Sequence, residues 1–425
     1  MFIGLEEIAG YYINLTKGLQ ANGLDVTLFC INEHPFQYES ETGWWLLRLT
    51  KFAYKKRGFI SRHHLLSKIW WVLAAESLRL MVFLWALIHH DVFIFSFGTS
   101  FIRGGYDLWL INKFGKRIIS NIGHGSDARP PYIDGSCQSK NGQIPPLSVI
   151  VNRTNFLKNR CQRIERYSNI VICHFYSCHF LENKFVNFTN LGIPWRFGSH
   201  AIPRIRNTSD RVRVLHAPSH PAAKGTVLIR STIDRLREKG HKIDFIEITE
   251  RLHKTVLEEL LQCDFVIDQI YSDTPLAGFA TEAAWFGKPA VVGGYGLIEY
   301  NNFYLEESYP VSQICHPDQL ESAIERLIVD PDYRQELGEA AQSFVSVNYN
   351  SEKVAKKYLS LISGEIPAHW FIKPNDILYL HGCGFSEAQI KELVRSMIDK
   401  SGLAALQLTH RPDLERAFLR LIQET

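Results

Sequence analysis

The sequence has almost no net charge: 47 Lys and Arg against 44 Asp and Glu leave a formal +3 over 425 residues. A balance that small gives no global case for nucleic acid, which needs a strongly cationic surface, so no nucleic-acid partner is expected. Cysteine is sparse and unpatterned. The eight, at positions 30, 137, 161, 173, 178, 263, 315 and 383, stand in apolar contexts without a repeated spacing. That excludes a small disulfide scaffold and favours a reducing, cytoplasmic compartment. Zinc-ligand spacing is incomplete too. The stretch CHFYSCH, Cys173 to His179, holds two Cys and two His, but no second ligand pair is evident, and IVICHFYS reads better as a strand leading into a loop.

Long uninterrupted apolar runs are also lacking. The nearest approach, Ile69 to Ile88, contains Glu76 and Arg79, each opposed by about 2.5 to 3.5 kcal/mol at a bilayer centre. A largely buried helix, with Glu76 and Arg79 marking its wet edge, is expected instead. Upstream stand Trp44, Trp45, Lys51, Lys55, Lys56, Arg57 and Arg62. This basic and aromatic mixture is the feature suited to peripheral contact with an anionic membrane, at the inner face of the cell membrane; the alternative is a solvated face beside a buried helix.

What is present suits a folded α/β protein: 46% apolar and 21% charged residues, in a chain longer than one hydrophobic core usually supports. The opening reads as a clipped strand, a Gly-containing turn, a helix from about Ile8 to Asn22 and a strand from Val26 to Ile31. Further strand patterns at Val92 to Phe97, Arg117 to Asn121 and Ile170 to Cys173 alternate with helical ones, the mark of a parallel sheet. Residues 1–195 are assigned to this first domain and the Gly/Pro/Arg-rich 196–210 to a linker. A second alternation fills 211–364, from VRVLHAPS to PAVVGG and its closing helices. Residues 365–425 carry two helical patterns and read as a helical appendage. The expected fold is two doubly wound, Rossmann-like domains facing each other across a cleft.

Ligands of such sheets bind outside the strand C-termini, where helix N-termini attract phosphate. Gly10 in the first turn would let backbone approach a phosphate. In the second domain Ser219, His220 and Lys224 follow a strand, and Lys224-Gly225 opens a helix. In SDTPLAGFATEAAWFGKPAVVGG, Asp273 and Glu282 flank a Pro/Gly turn that runs into a short helix. Singly these are ordinary features: Glu282 a helix-dipole partner, His124 and Asp127 turn residues. Their joint order along two domains carries the functional reading.

These segments, APSHPAAKGT and DTPLAGFATEAAWFGKPAVV together with AGYYINLTKGLQANGLDVTLF, NIGHGSDARP and DPDYRQELGEAAQSFVSVNYNSEKVAKKYL, resemble the GT-B glycosyltransferases, specifically the retaining enzymes of glycosyltransferase family 4. The resemblance covers about residues 1–362. It implies that Glu282 holds the donor ribose, that Gly278, Phe279 and Ala280 present amides to the diphosphate, and that Lys224 pairs with that diphosphate and assists its departure. His124 would contact the donor sugar, with Asp127 beside it. Two positions depart from the family pattern. Thr274, with Asp273 next to it, stands where a sugar-binding glutamate is common, and Ser219 stands where an arginine is common; Ser219, His220 or Asp273 would then substitute.

The implied partners are a nucleotide-sugar donor and a saccharide or lipid-linked acceptor in surface polysaccharide or glycolipid assembly. No metal or other cofactor is expected, because the cleft sequences contain no paired Asp-x-Asp to hold a divalent ion. The rival readings are a binding subunit of the same fold without turnover and a nucleotide-sugar epimerase.

Overall fold

The computed structural model describes residues 1–31, 44–59, 65–102, 104–195, 210–296, 303 and 309–424. Arg62 and the linker 196–210, Asp210 excepted, lie outside them. The first domain is built on six parallel strands, β1 (Phe2–Leu5), β2 (Thr27–Cys30), β3 (Val92–Ser96), β4 (Arg117–Asn121), β5 (Ile170–Cys173) and β6 (Phe185–Asn187), in the order β6-β5-β4-β3-β1-β2. Most are short apolar runs rich in Ile, Val and Phe, buried on both faces as a helix-covered parallel sheet requires. Helices α1 (Tyr11–Ala21), α2 (Trp45–Phe59), α3 (Leu65–His89), α4 (Tyr106–Lys113), α5 (Leu147–Tyr167) and the one-turn α6 (Phe188–Leu191) alternate with them. The chain leaves β1 for β2 on one side and returns to β3 on the other, so a switch point opens between β1 and β3.

The second domain repeats the scheme. Strands β7 (Val212–His216), β8 (Ile243–Glu247), β9 (Phe265–Ile267), β10 (Ala290–Gly293) and β11 (Gln313–Cys315) run parallel in the order β11-β10-β9-β7-β8. The switch point lies between β7 and β9. Its helices are the one-turn α7 (Pro221–Lys224), α8 (Thr226–Glu238), α9 (His253–Gln262), α10 (Gly278–Trp285), α11 (Leu320–Val329) and α12 (Pro331–Asn348). Helix α13 (Ser351–Ser363) crosses back to α1. There Val354, Ala355, Tyr358 and Leu361 share a core with Tyr11, Leu15 and Leu19. Gly18 permits the crossing: a Cβ at that position would meet Ser351 O at 2.2 Å. The two doubly wound, Rossmann-like domains thus face each other in the GT-B arrangement.

The C-terminal helical segment is appended to the first domain. Strand β12 (Phe371–Ile372) pairs antiparallel with β6, and α14 (Glu387–Ser401) and α15 (Pro412–Gln423) follow. A Ser386/Gln389 capping box starts α14. Phe385, Ile390, Met397 and Phe418 belong to the same core cluster as Phe2 and Phe93.

One expectation is overturned. Helix α3 is not largely buried: it turns a continuous apolar face outward, including Leu66 (84% exposed), Trp70, Leu73, Leu84 and Ile88 (74% exposed). Nor do Glu76 and Arg79 mark a wet edge. They pair with each other, and Glu76 also meets Arg57 of α2 at 3.0 Å, all three being partly buried. Polarity is inverted because the charged side chains are neutralised against the neighbouring helix, which leaves the apolar stripe without a protein partner among the described residues.

Candidate functional site

Two adjoining cavities lie between the domains. The larger, about 530 Å³, is lined by Ser219, Lys224, His253, Gly278, Phe279 and Glu282, among others. The smaller, about 270 Å³, brings His124, Arg129, His174 and Tyr176 of the first domain against the Thr274–Gly278 loop of the second. Ala9, Trp195 and Gly278 border both.

In the larger cavity the second domain's switch point supplies the charge. Lys224 ends α7, and its Nζ is 2.6 Å from Asp268 Oδ1, just past β9. Asp268 is 2% exposed, and its Oδ2 is buried without a hydrogen-bond partner. The carboxylate fixes Lys224 at the cavity wall and leaves part of its donor capacity unused, since an ammonium carries three donors. Gly225 follows in the left-handed region at φ 78° and starts α8, a turn that favours glycine.

Helix α10 starts at Gly278 with no side-chain cap. The amides of its first turn lack intrahelical acceptors by construction, and the space beside Gly278 is open, with nothing within 4 Å of where a Cβ would stand. Glu282, one turn on, is 8% exposed, and His253 Nε2 lies 2.7 Å from its Oε1. That hydrogen bond raises the His253 pKa above its ordinary value of 6.5, partly opposed by burial. Sequence reasoning missed His253, since a single His at a helix start carries no spacing signal.

The smaller cavity is formed around His124. Its Nε2 shares a 2.6 Å hydrogen bond with the Tyr12 hydroxyl, and Tyr11, Tyr12 and Phe188 surround the ring. Burial pulls the His124 pKa down to about 3, so the imidazole is neutral near pH 7. Arg129, from the same GHGSDARP turn, brings a guanidinium over the Tyr176 ring at 5.4 Å and reaches Asp134 at 3.5 Å. Its Nε is buried without a hydrogen-bond partner. His174 stacks on Tyr176 at 4.4 Å with Nδ1 buried and unpartnered. Thr274 Oγ1 is 3.4 Å from the Tyr176 hydroxyl, a link between the domains. No Asp or Glu among the described residues lines this cavity. Nor do three His, Cys, Asp or Glu side chains converge as metal ligands among those residues.

The remaining candidates stand elsewhere. Asp127 is fully buried beneath the His124 turn, its carboxylate accepting from the amides of His124 and Gly125 at 3.2 and 2.9 Å. It is a turn former that orders His124. Asp273 is buried as well, accepting from Gly296 N at 3.1 Å and from the Tyr379 hydroxyl. His220 caps α7 through Ala223 N and reaches Gln138 O of the first domain at 2.9 Å. Ala280 faces the second domain's core. Gly10, at φ 81°, starts α1, but the amides of Tyr12 and Ile13 donate to Glu7, at 3.3 and 3.0 Å. The chain's own carboxylate thus takes the place a phosphate would need.

No family model and no curated protein matches the chain. Solved structures do. The chain is similar to HepE of Anabaena in complex with UDP-glucose, at 13% identity and TM-score 0.43 over 85% of this chain and 98% of that one. It is similar to the glycosyltransferase SnogD from Streptomyces nogalater, at 13% identity and TM-score 0.37 with the same coverage. S. aureus MnaA in complex with UDP matches at 12% identity and TM-score 0.39, over 86% and 96% of the two chains. Values this low leave the chemistry of the site to the residues themselves.

Proposed function

We propose that the chain is a retaining, metal-independent glycosyltransferase that moves a sugar from a nucleotide donor to a saccharide or lipid-linked acceptor in surface polysaccharide or glycolipid assembly. The observation that carries this reading is the shared wall of the larger cavity. Lys224, the α10 amides and Glu282 stand there in the order diphosphate and ribose would need. In this reading Glu282 accepts ribose hydroxyls, sharing its carboxylate with His253. Lys224 and the amides of Gly278 and Phe279 meet the diphosphate, and the sugar enters the smaller cavity beneath the neutral His124. That imidazole exchanges hydrogen bonds with sugar hydroxyls and is too weak a base to take a proton at pH 7. Arg129 supplies, from the opposite domain, the cation that position 219 lacks.

The retaining route asks for no protein carboxylate at the anomeric carbon. A double displacement needs a carboxylate nucleophile, and a direct inversion needs a base on the acceptor. In the retaining route the acceptor hydroxyl attacks the anomeric carbon from the leaving-group side. Its oxygen forms the new glycosidic bond, the bond from carbon to phosphate oxygen breaks, and the hydroxyl proton passes to that phosphate oxygen. Lys224 faces the charge that develops on the departing diphosphate. Transfer is expected to persist in excess chelator. Complete loss with chelator and recovery with manganese would overturn the metal-independent reading.

The same reading puts the protein at the cytoplasmic face of the membrane, supported by the outward apolar stripe of α3 beside Lys51, Lys55 and Lys56 of α2. The reaction products separate the rivals. Nucleotide binding with neither transfer nor donor hydrolysis marks a binding subunit, and an isomerised donor formed without acceptor marks an epimerase.

A further inference from the structure

A third cavity, about 400 Å³, stands apart from the donor site at the first domain's switch point, outside the C-terminal ends of β1 and β3. This is the crevice where doubly wound sheets bind ligands, and its volume falls in the range of roughly 300–1,000 Å³ typical of ligand sites. Among the described residues three arginines line it: Arg79 of α3 and Arg160 and Arg163 of α5. Arg163 is half-buried and has no hydrogen-bond or ionic partner among the described residues. Arg160 Nε is buried without a hydrogen-bond partner, while its Nη2 donates to Asp127 O beneath the His124 turn. Arg79 pairs with Glu76, which Arg57 also neutralises.

The opposite wall is the loop after β3. Phe97 and Gly98 both have left-handed backbones, at φ 54° and 60°, and a Cβ on Gly98 would come within 3.2 Å of the Arg160 guanidinium. Glu6 is the one carboxylate among the described lining residues. Asp107, in the first turn of α4, is not in the lining: its two oxygens accept from Ser100 Oγ at 2.8 Å and Phe101 N at 2.6 Å. A concave, arginine-rich cavity with unused guanidinium donors suits an oxyanion with several acceptor oxygens.

Two neighbours restrict what that anion belongs to. Only Glu7 separates Glu6, in this cavity, from Ile8 and Ala9, which border the sugar cavity. On the other side Arg79 comes from α3, whose far face is the exposed apolar stripe. We propose that the arginine cavity binds the phosphate or diphosphate of a lipid-tailed acceptor, whose chain leaves along α3 and whose sugar reaches across the β1 loop to His124. Its description as an acceptor site rests on the transferase reading above; the anion site itself does not.

The test uses the full chain with inorganic pyrophosphate as probe, titrated with whichever nucleoside diphosphate stabilises the protein already saturating. Pyrophosphate is expected to bind alongside the nucleotide. Arg163→Gln should weaken it by about tenfold or more, the scale of one charge-assisted contact, and leave nucleotide affinity unchanged. Geranyl diphosphate should bind more tightly than pyrophosphate and show the same dependence on Arg163, while binding to phosphatidylglycerol vesicles changes by less than about twofold. Pyrophosphate that binds only in competition with nucleotide, or that is indifferent to both Arg163→Gln and Arg163→Glu, would overturn the site. Vesicle binding that falls as steeply as pyrophosphate binding would assign the cavity to bilayer headgroups and overturn the acceptor assignment. Arg163-dependent pyrophosphate binding in a chain that binds no nucleoside diphosphate would uphold the anion site and sink the transferase reading.

Discussion

At the residue scale, Glu7 shows how a side chain decides what a loop can hold. Its carboxylate takes the free amides at the start of α1, and burial, partly offset by those hydrogen bonds, raises its pKa from 4.5 to about 7. The folded state therefore holds the proton more tightly than the unfolded chain, and stability from this group falls as pH rises from about 4.5 to 7. Glu7→Gln is expected to flatten that slope, so that thermal melts place the variant higher relative to the parent at pH 8 than at pH 5. Equal pH dependence in both would show that Glu7 titrates normally in the fold. His253 has the opposite sign. Its raised pKa means that its bond to Glu282 stabilises the fold below about pH 6.5 and fades as pH climbs past the folded value.

Sequence reasoning fared unevenly at this scale for physical reasons. Ser219 and Lys224 stand at a strand end and a helix start, which local sequence encodes, Gly278, Phe279 and Glu282 were picked out by the family resemblance, and the structure gathers all five in one cavity. Asp273 stands beside Thr274 in the same turn but is buried by Tyr379, over a hundred residues away, and no local pattern reports such a contact. Arg129 and His174 were passed over for the converse reason. His174 was weighed only as part of a zinc-ligand cluster, and the neighbours of both residues in the cavity come from other strands or the other domain.

At the element scale, the strands and most helices were legible because their apolar periods match the burial they meet. Helix α3 was misjudged because hydrophobic periodicity reports an apolar face and not what covers it. From Leu66 to Ile88 the stripe extends about 33 Å at 1.5 Å per residue, and each large side chain moved from water into lipid contributes up to roughly 1.5–3 kcal/mol. Insertion of that face, with the lysines of α2 at headgroup level, predicts sedimentation with anionic vesicles that survives high salt. Leu66→Glu, Trp70→Glu and Leu73→Glu combined should abolish it while leaving the melting temperature within a few degrees, since all three side chains are exposed. A parent that stays in the supernatant with vesicles, and forms a dimer that the triple variant breaks, would assign the face to a second copy of the chain.

At the scale of the whole molecule, the C-terminal segment joins the domains. The loop from Tyr379 to Gly384 passes between them: Cys383 O accepts from Gly135 N of the first domain, and Gly382 O accepts from Asp273 N of the second at 2.8 Å. A Cβ at Gly382 would meet Asp273 Oδ2 at 2.0 Å. Tyr379→Phe removes one donor from a buried carboxylate and is expected to cost about 1–3 kcal/mol in denaturant unfolding. A loss under about 0.5 kcal/mol would mean that the contact is dispensable.

The cleft between the domains is where the account stands or falls. The decisive measurement is steady-state transfer kinetics, over a range of donor concentration, for the parent, Glu282→Ala and Lys224→Ala. Bonds from Glu282 to ribose exist before and during transfer alike, so Glu282→Ala should weaken donor affinity by the 1.5–3 kcal/mol scale of charge-assisted hydrogen bonds, about 10- to 100-fold, with turnover at saturation little changed. Lys224 meets charge that grows as the diphosphate departs, so Lys224→Ala should lower turnover about 100-fold or more even at saturating donor. Both variants within about twofold of the parent in affinity and turnover would contradict the assignment of this cavity to the donor.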